Sequence, residues 1–247
     1  MKKQTKEICK VVKECGRILT EATRLNMQID AKAGQANFVT EYDSQVQEVL
    51  RKQLQRIVPE ASFIGEEGEQ KTFSEKGAFF IVDPIDGTTN FIKDYHMSCI
   101  SVALIVDGEA EIGVVYNPYL DEMYWAEKGN GAFCNDQKLS VSKQPLSNGI
   151  VLFGTSPYYE ELNKQSFDMA YKYFREALDI RRSGSAALDL CAIAAGRAEL
   201  YFELRISPWD YAAGALLVKE AGGLVTDIEG RPIQFAKPTS VLARNTE

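Results

Sequence analysis

An apolar run, Ala78–Val82, leads straight into Asp83-Pro84-Ile85-Asp86-Gly87-Thr88-Thr89. The run reads as a buried strand, so two carboxylates stand where it ends. Burying one unpaired carboxylate is costly, and two close together repel. The segment must therefore lie in water or hold something positive. A plain turn needs no carboxylate on both sides of Pro84-Ile85. Pro84 stiffens the backbone, Gly87 admits an unusual φ, and Thr88 and Thr89 offer hydroxyls and N–H groups.

Two more acidic islands border apolar segments: Gly65-Glu66-Glu67 and Ser207-Pro208-Trp209-Asp210. Taken singly, the glutamates fit a solvated turn and Asp210 fits a helix cap. Taken with Asp83 and Asp86, they suggest a site for several Mg²⁺ ions. Magnesium takes about six oxygens and keeps several waters. A carboxylate bridging two such ions marks a two-metal hydrolase. With both aspartates aimed into one cavity, the Ile85 carbonyl lies between them. Gly87-Thr88-Thr89 would then open a helix whose N–H groups and dipole receive a phosphate.

The rest of the composition narrows the choice. The chain has 247 residues and one histidine, His96, which excludes an imidazole cluster for zinc and leaves hard, oxygen-bound cations. The formal net charge of −7 argues against nonspecific nucleic-acid binding. The five cysteines are scattered without a C-x-x-C pair, as in a reduced, cytoplasmic protein. The N-terminus lacks the apolar region of a signal peptide, and the longest apolar span, Cys99–Val106, is too short to cross a bilayer.

Helical spacing of Ile8, Val11, Val12, Cys15, Ile18, Leu19 and Ala22 predicts a first helix. Val46, Val49, Leu50, Leu54 and Ile57 predict a second, capped by Asp43 or Ser44 and ended by Pro59. Strands are expected over Ala78–Val82, Cys99–Val106, Glu111–Tyr116 and Met123–Glu127, forming an antiparallel meander covered by helices. After about residue 145 strand and helix alternate. Strands are expected at Ile150–Phe153, Ile180–Arg182, Ala198–Leu204, Leu224–Thr226 and Ser240–Ala243. Helices are expected at Phe167–Leu178, Ala186–Ala195 and Asp210–Ala221. This pattern predicts a layered α/β (α+β) fold. One domain over 1–247 is expected, with subdomains at about 1–145, carrying the metal site, and 146–247, carrying the substrate half.

Gly65-Glu66-Glu67, Asp83–Phe91, and Trp209–Gly214 followed by Glu220–Gly223 are motifs that the chain shares, in order, with the inositol monophosphatase family. The chain resembles these metal-dependent, typically lithium-sensitive phosphatases from Lys32 to Gly223. The resemblance implies alternating α/β/α/β/α layers, a likeness to sugar phosphatases, and a homodimer. It implies that Glu66, Asp83 and the Ile85 carbonyl hold one ion and that Asp83, Asp86 and Asp210 hold a second. A third, weaker ion would sit near Glu66. Asn37-Phe38-Val39-Thr40-Glu41-Tyr42-Asp43 matches an upstream motif that usually has Asp in place of Asn37. In it Asp43 pairs with Thr88 to orient the attacking water, and Lys32 borders a loop that closes the site. The resemblance makes Thr88, Asp43 and Glu66 catalytic. It makes Asp86, Gly87, Thr88, Gly184, Ser185, Ala186, Glu203 and Asp210 substrate contacts, Glu203 taking sugar hydroxyls.

The expected reaction is Mg²⁺-dependent hydrolysis of a phosphomonoester, inositol monophosphate first, by a metal-activated water and without a covalent phosphoenzyme. Mn²⁺ is a possible substitute and Li⁺ an inhibitor. Fructose 1,6-bisphosphate, a 3′-phosphoadenosine nucleotide and NADP are the alternative substrates, and Arg205 is a residue that could meet a second phosphate. A cation- or phosphate-binding regulatory protein is the non-enzyme alternative.

Overall fold

The computed structural model describes residues 1–23, 27–31, 38–68 and 76–246. Lys32 and Asn37 lie outside the described residues. The helices are Lys3–Glu21 (α1), Glu41–Ile57 (α2), Thr88–Ile92 (α3), Asn163–Phe174 (α4), Ala186–Ala194 (α5) and Pro208–Glu220 (α6). A short hairpin pairs Ile29–Ala31 (β1) with Phe38–Thr40 (β2). A seven-stranded sheet follows in chain order: Ser62–Gly65 (β3), Ala78–Asp86 (β4), Cys99–Val106 (β5), Glu109–Asn117 (β6), Glu122–Glu127 (β7), Gly131–Cys134 (β8) and Gln137–Lys138 (β9). It is antiparallel except at its edge, where β3 runs parallel to β4. The second sheet holds Ile150–Phe153 (β10), Asp179–Arg181 (β11), Leu200–Ile206 (β12), Leu224–Thr226 (β13) and Thr239–Arg244 (β14), in the order β11-β10-β12-β14-β13.

Side-chain parity along the strands produces the layers, because successive residues of a strand face opposite sides. Phe80, Val82, Ile100, Val102, Val114 and Trp125 enter one core with Ile8, Val12 and Leu19 of α1 and Val46, Leu50 and Leu54 of α2. Ile81, Cys99, Ala103, Val115, Tyr124 and Ala126 face the other way, toward α5 and α6. The second sheet repeats the rule. Leu152, Tyr201, Val241 and Ala243 join that same middle core, whereas Val151, Phe153, Leu200 and Phe202 pack with Ala170 of α4. Five layers result: α1/α2, the large sheet, α5/α6, the small sheet, α4. This is the α/β/α/β/α architecture that the resemblance implies. Close contact in the middle layer needs Gly113, since a Cβ there would come within 2.7 Å of the Ala213 carbonyl.

Several boundaries differ from the sequence reading. The strand expected to stop at Val82 continues through both aspartates to Asp86, with a register shift between Asp83 and Asp86. Pro84, which has no N–H to give the ladder, lies inside that shift. Asp43 and Ser44 are not the N-cap of α2. Thr40 is, and Asp43 stands at the third helical position, closing a capping box. Helix α4 begins at Asn163 and ends at Phe174, four residues before the expected end, because the Leu178 N–H donates to the Gly149 carbonyl and draws the chain into the sheet.

Candidate active site

Parity also positions the carboxylates. Asp83 shares the face of Ile81, and Glu203 shares the face of Tyr201, so each sheet projects one acid into the middle layer. There α5 and α6 begin, with Ser185 capping α5 and Asp210 in the first turn of α6. Carboxylate oxygens of Asp83, Asp86 and Asp210 lie within 4.8 Å of one another. One cavity is bordered by these three together with Glu66, Ile85, Gly87, Thr88, Gly184, Ser185, Ala186 and Glu203.

Each acid is held by backbone that the sequence shapes locally. The Ile85 N–H donates to Asp83 Oδ1 at 2.9 Å. The Ser207 N–H donates to Asp210 Oδ2 at 2.8 Å, in a second capping box. Asp86 Oδ2 receives the Ser185 hydroxyl at 2.5 Å, the Ala187 N–H at 2.8 Å and the Cys99 thiol at 3.7 Å. All three bonds use Oδ2, so Oδ1 is not consumed by them. The Glu66 N–H pairs with the Val82 carbonyl. The Gln47 amide clamps the next residue, accepting from the Glu67 N–H at 3.0 Å and donating to its carbonyl at 2.8 Å. A Cβ on Gly65 would overlap that amide, which explains the glycine before the two glutamates.

The acids strain one another electrostatically. Burial, then Glu66, Asp86 and Asp210, push Asp83 well above the usual carboxylate range. Burial, then Asp86 and Glu66, do the same to Asp210. Burial raises Asp86 against its hydrogen bonds from Ser185 and Ala187. A divalent cation among these oxygens would favour their ionised forms and so offset those penalties. The donor set fits a hard ion: carboxylates and the Ile85 carbonyl, while Cys99, whose Sγ donates to Asp86, is pushed up by burial and thus stays a thiol.

Gly87 has φ +86°, and a Cβ there would stand 2.9 Å from the Met97 carbonyl and 3.2 Å from the Gly184 carbonyl. The turn thus brings backbone close to the cavity. Helix α3 has five residues, so its dipole is small and the backbone N–H groups of the turn are the resource for an anion. The Thr88 hydroxyl donates to the Ile85 carbonyl at 3.1 Å. Asp43 is fully buried and does not border the cavity. Its Oδ2 accepts from the Thr40 N–H and hydroxyl at 2.8 and 2.6 Å, and its charge adds to the pressure on Asp83. The Ser185 hydroxyl, read from sequence as a substrate contact, is committed to Asp86 and the Leu188 N–H.

Arg182, Asp189, Asn90, Thr155 and Tyr158 also border the cavity and were not read from the sequence. Asn90 had a signal: it sits in the Asp83–Phe91 motif, and its amide joins the Met97 and Ser183 carbonyls at 2.7 and 2.9 Å. Thr155 and Tyr158 follow a strand in a loop with no motif. Arg205, by contrast, is not among the cavity residues. Its guanidinium lies 4.4 Å from the centre of the Tyr159 ring.

Glu203 accepts from the Ser156 N–H and the Tyr201 hydroxyl, both at 2.8 Å, yet burial raises its carboxyl to about 7. Between the ordinary glutamate value and about 7 the folded chain holds a proton that the unfolded chain lacks. The associated stability is full below that window and is lost as pH rises through 7. Glu203→Gln removes the ionisation. The metal-free variant should therefore out-melt the parent at pH 8 and lose the advantage at pH 4.5. A difference in melting temperature that does not change with pH would contradict the assignment.

Comparison with known proteins agrees with this geometry. The profile of the "Inositol monophosphatase family" matches residues 1–247. Inositol-1-monophosphatase of Bacillus subtilis (strain 168) is 35% identical over 237 residues, covering 96% of this chain and 89% of that one. Among solved structures, the extragenic suppressor protein suhB of Bartonella henselae aligns with a TM-score of 0.89 at 35% identity, covering 96% of this chain and 92% of that one. An IMPase/NADP phosphatase complexed with Mg²⁺ and phosphate aligns with a TM-score of 0.86 at 26% identity, covering 98% and 90%.

Proposed function

Because the chain belongs to the inositol monophosphatase family, whose namesakes are phosphoric monoester hydrolases, we propose that it releases phosphate from inositol monophosphate in an Mg²⁺-dependent reaction. The observation that carries this reading is the triad Asp83, Asp86 and Asp210, the first two buried and the third half-buried, set beside the Gly87-Thr88 turn. Glu66, Asp83, the Ile85 carbonyl, Asp86 and Asp210 would hold two or three Mg²⁺ ions, with Mn²⁺ as a substitute. Bound there, the ions supply positive charge to the phosphoryl oxygens and make water a better nucleophile at neutral pH.

The chain's own groups do the rest. The backbone of Gly87 and Thr88 receives the phosphoryl group, and the crowding at Gly87 fixes that backbone in place. The Thr88 hydroxyl spends its proton on the Ile85 carbonyl, so its oxygen accepts a hydrogen bond from the incoming water and orients it. Asp43 acts from beneath, through charge and through the fixed start of α2. Glu203 and Asp210 accept substrate hydroxyls, while Gly184 and Ala186 line the space the ring occupies. Ser185 positions Asp86.

Li⁺ inhibition follows from the same hard-oxygen site. All five cysteines are free thiols, which favours a reducing, cytoplasmic setting, and among the described residues no helix is long and apolar enough to cross a membrane. The exposed stripe Phe167, Tyr171, Phe174 and Leu178, on and just after α4, favours a homodimer.

Phosphate release should be measured on inositol monophosphate, fructose 1,6-bisphosphate, a 3′-phosphoadenosine nucleotide and NADP, with and without Mg²⁺ and with added Li⁺. Release that requires Mg²⁺, falls with Li⁺ and is fastest on inositol monophosphate is expected. No release from any ester in Mg²⁺ would overturn the reading.

A further inference from the structure

Residues 154–159 leave β10 toward α4 and send two adjacent tyrosines to different places. Tyr159 lies under the Arg205 guanidinium, which stands 4.4 Å from the ring centre. Tyr158 instead borders the cavity, together with Glu66, Asp83, Asp86 and Asp210. The loop is tied to β12 on either side of Leu204: the Ser156 N–H donates to Glu203 Oε1 at 2.8 Å, and the Arg205 N–H donates to Ser156 Oγ at 2.9 Å. Ser156 has φ +46°, a conformation that a non-glycine residue keeps only where its surroundings impose it. Pro157 stiffens the next step of the chain.

The Tyr158 side chain is half exposed, yet burial, then Glu66, Asp210, Asp83 and Asp86, hold its phenol well above the ordinary range. Part of the ring thus meets water while the hydroxyl end faces the acidic centre. A phenol held in this way keeps its hydrogen and can donate it. Other tyrosines of the interior have spent theirs: Tyr201 donates to Glu203 at 2.8 Å, Tyr211 to the Gln234 carbonyl at 2.6 Å and Tyr124 to Glu122 at 2.7 Å. The Tyr158 hydroxyl has no such partner among the described residues. Carboxylates that serve cations spend their lone pairs on them, so a donor aimed at this centre needs an acceptor that arrives with the substrate. An ionised phosphoryl oxygen is such an acceptor, and a hydrogen bond to it is of the strong, charge-assisted kind.

We propose that Tyr158 is a further catalytic residue, whose phenol O–H donates a hydrogen bond to a phosphoryl oxygen of the bound ester from the wall that the second sheet supplies. The Gly87-Thr88 turn binds the same group from the wall of the large sheet. This rests on the phosphatase reading above and adds a donor to that same site. The phenol donates a hydrogen bond and transfers no proton. Its contact is with the group that every phosphomonoester shares, so it bears on rate and phosphate affinity and not on the choice of substrate.

Tyr158→Phe deletes the O–H and keeps the ring. Calorimetric titration of the Mg²⁺-loaded protein with inorganic phosphate should show binding weakened about tenfold, while Mg²⁺ titration without phosphate is unchanged. The variant's kcat/KM should fall about tenfold, by the same factor on inositol 1-phosphate and on phenyl phosphate, whose remainders differ in polarity. Tyr159→Phe, next in the chain and outside the cavity, should change neither measurement. Because Tyr158→Phe breaks no hydrogen bond within the protein, its melting temperature should equal the parent's, which separates a lost contact from a damaged fold. Phosphate affinity equal to the parent's would overturn the proposal. A loss confined to inositol 1-phosphate would also overturn it, by moving the contact to the ring hydroxyls. If the parent binds phosphate yet hydrolyses neither ester, the phosphatase reading fails separately and the phosphate titration still decides the role of Tyr158. A parent that binds no phosphate overturns the contact as well.

Discussion

Asp83→Asn should abolish turnover and, in the same molecule, raise the stability of the metal-free fold at neutral pH. Asp83 borders the cavity with Glu66, and its oxygens lie with those of Asp86 and Asp210 inside 4.8 Å. Losing the one carboxylate assigned to both ions should lower kcat/KM by at least about 10³-fold, which is about 4 kcal/mol. Binding of Mg²⁺ or Mn²⁺ should weaken with it. Stability moves the other way because the Asp83 carboxyl is held well above its ordinary range by burial and by Glu66, Asp86 and Asp210. A group raised in this way costs the fold stability at every pH above its unfolded value. The amide removes that cost and can still accept the Ile85 N–H at Oδ1. Metal titration calorimetry and thermal melting without metal check the two halves. Unchanged metal stoichiometry and affinity would sink the bridging role, and a lower metal-free melting temperature at pH 7.5 would sink the electrostatic account.

Gly87→Ala should be the most damaging single methyl group in the site. Two costs coincide there. The backbone has φ +86°, which a non-glycine residue adopts at about 1–3 kcal/mol. The new Cβ also meets the Met97 and Gly184 carbonyls at 2.9 and 3.2 Å, and neither can rotate away as a side chain would. A loss of about 3 kcal/mol in urea unfolding, with turnover down at least tenfold, is expected. Gly129 is the control: its φ is +78°, but nothing lies within 4 Å of a Cβ. Gly129→Ala should cost only the backbone part, about 1 kcal/mol. Equal losses at the two positions would show that crowding at Gly87 contributes nothing.

The sequence made the chemistry more legible than its supports. Asp83, Asp86, Asp210 and Glu66 stood out because carboxylates beside apolar runs need a reason, and the fold does bring them to one cavity. The helical stripes of α1 and α2 were readable because their period is local. What failed to show was whatever depends on distant partners. The parallel edge strand β3 carries no alternation of its own over its four residues. Ser185 was read as a substrate contact, and its hydrogen bond to Asp86, far away in sequence, could not be read from the letters. Asp43 was read as a candidate N-cap, but it closes a capping box from the third helical position, because Thr40 takes the cap. Arg205 and Arg182 are indistinguishable as letters. Only the course of the chain decides that one lies on Tyr159 and the other enters the cavity.

The hydrogen bonds that Ser185 and Ala187 make to Asp86 close loops of 99 and 101 residues. Loops of that length form slowly relative to local structure, since chain entropy must be spent before the contact returns anything. Completion of the acidic centre is therefore expected late in folding, when the two sheets come together across α5 and α6. That last step also crowds like charges, so a bound cation is expected to favour it. Neither sheet alone can hold half of the activity, because the middle layer that carries the centre belongs to both.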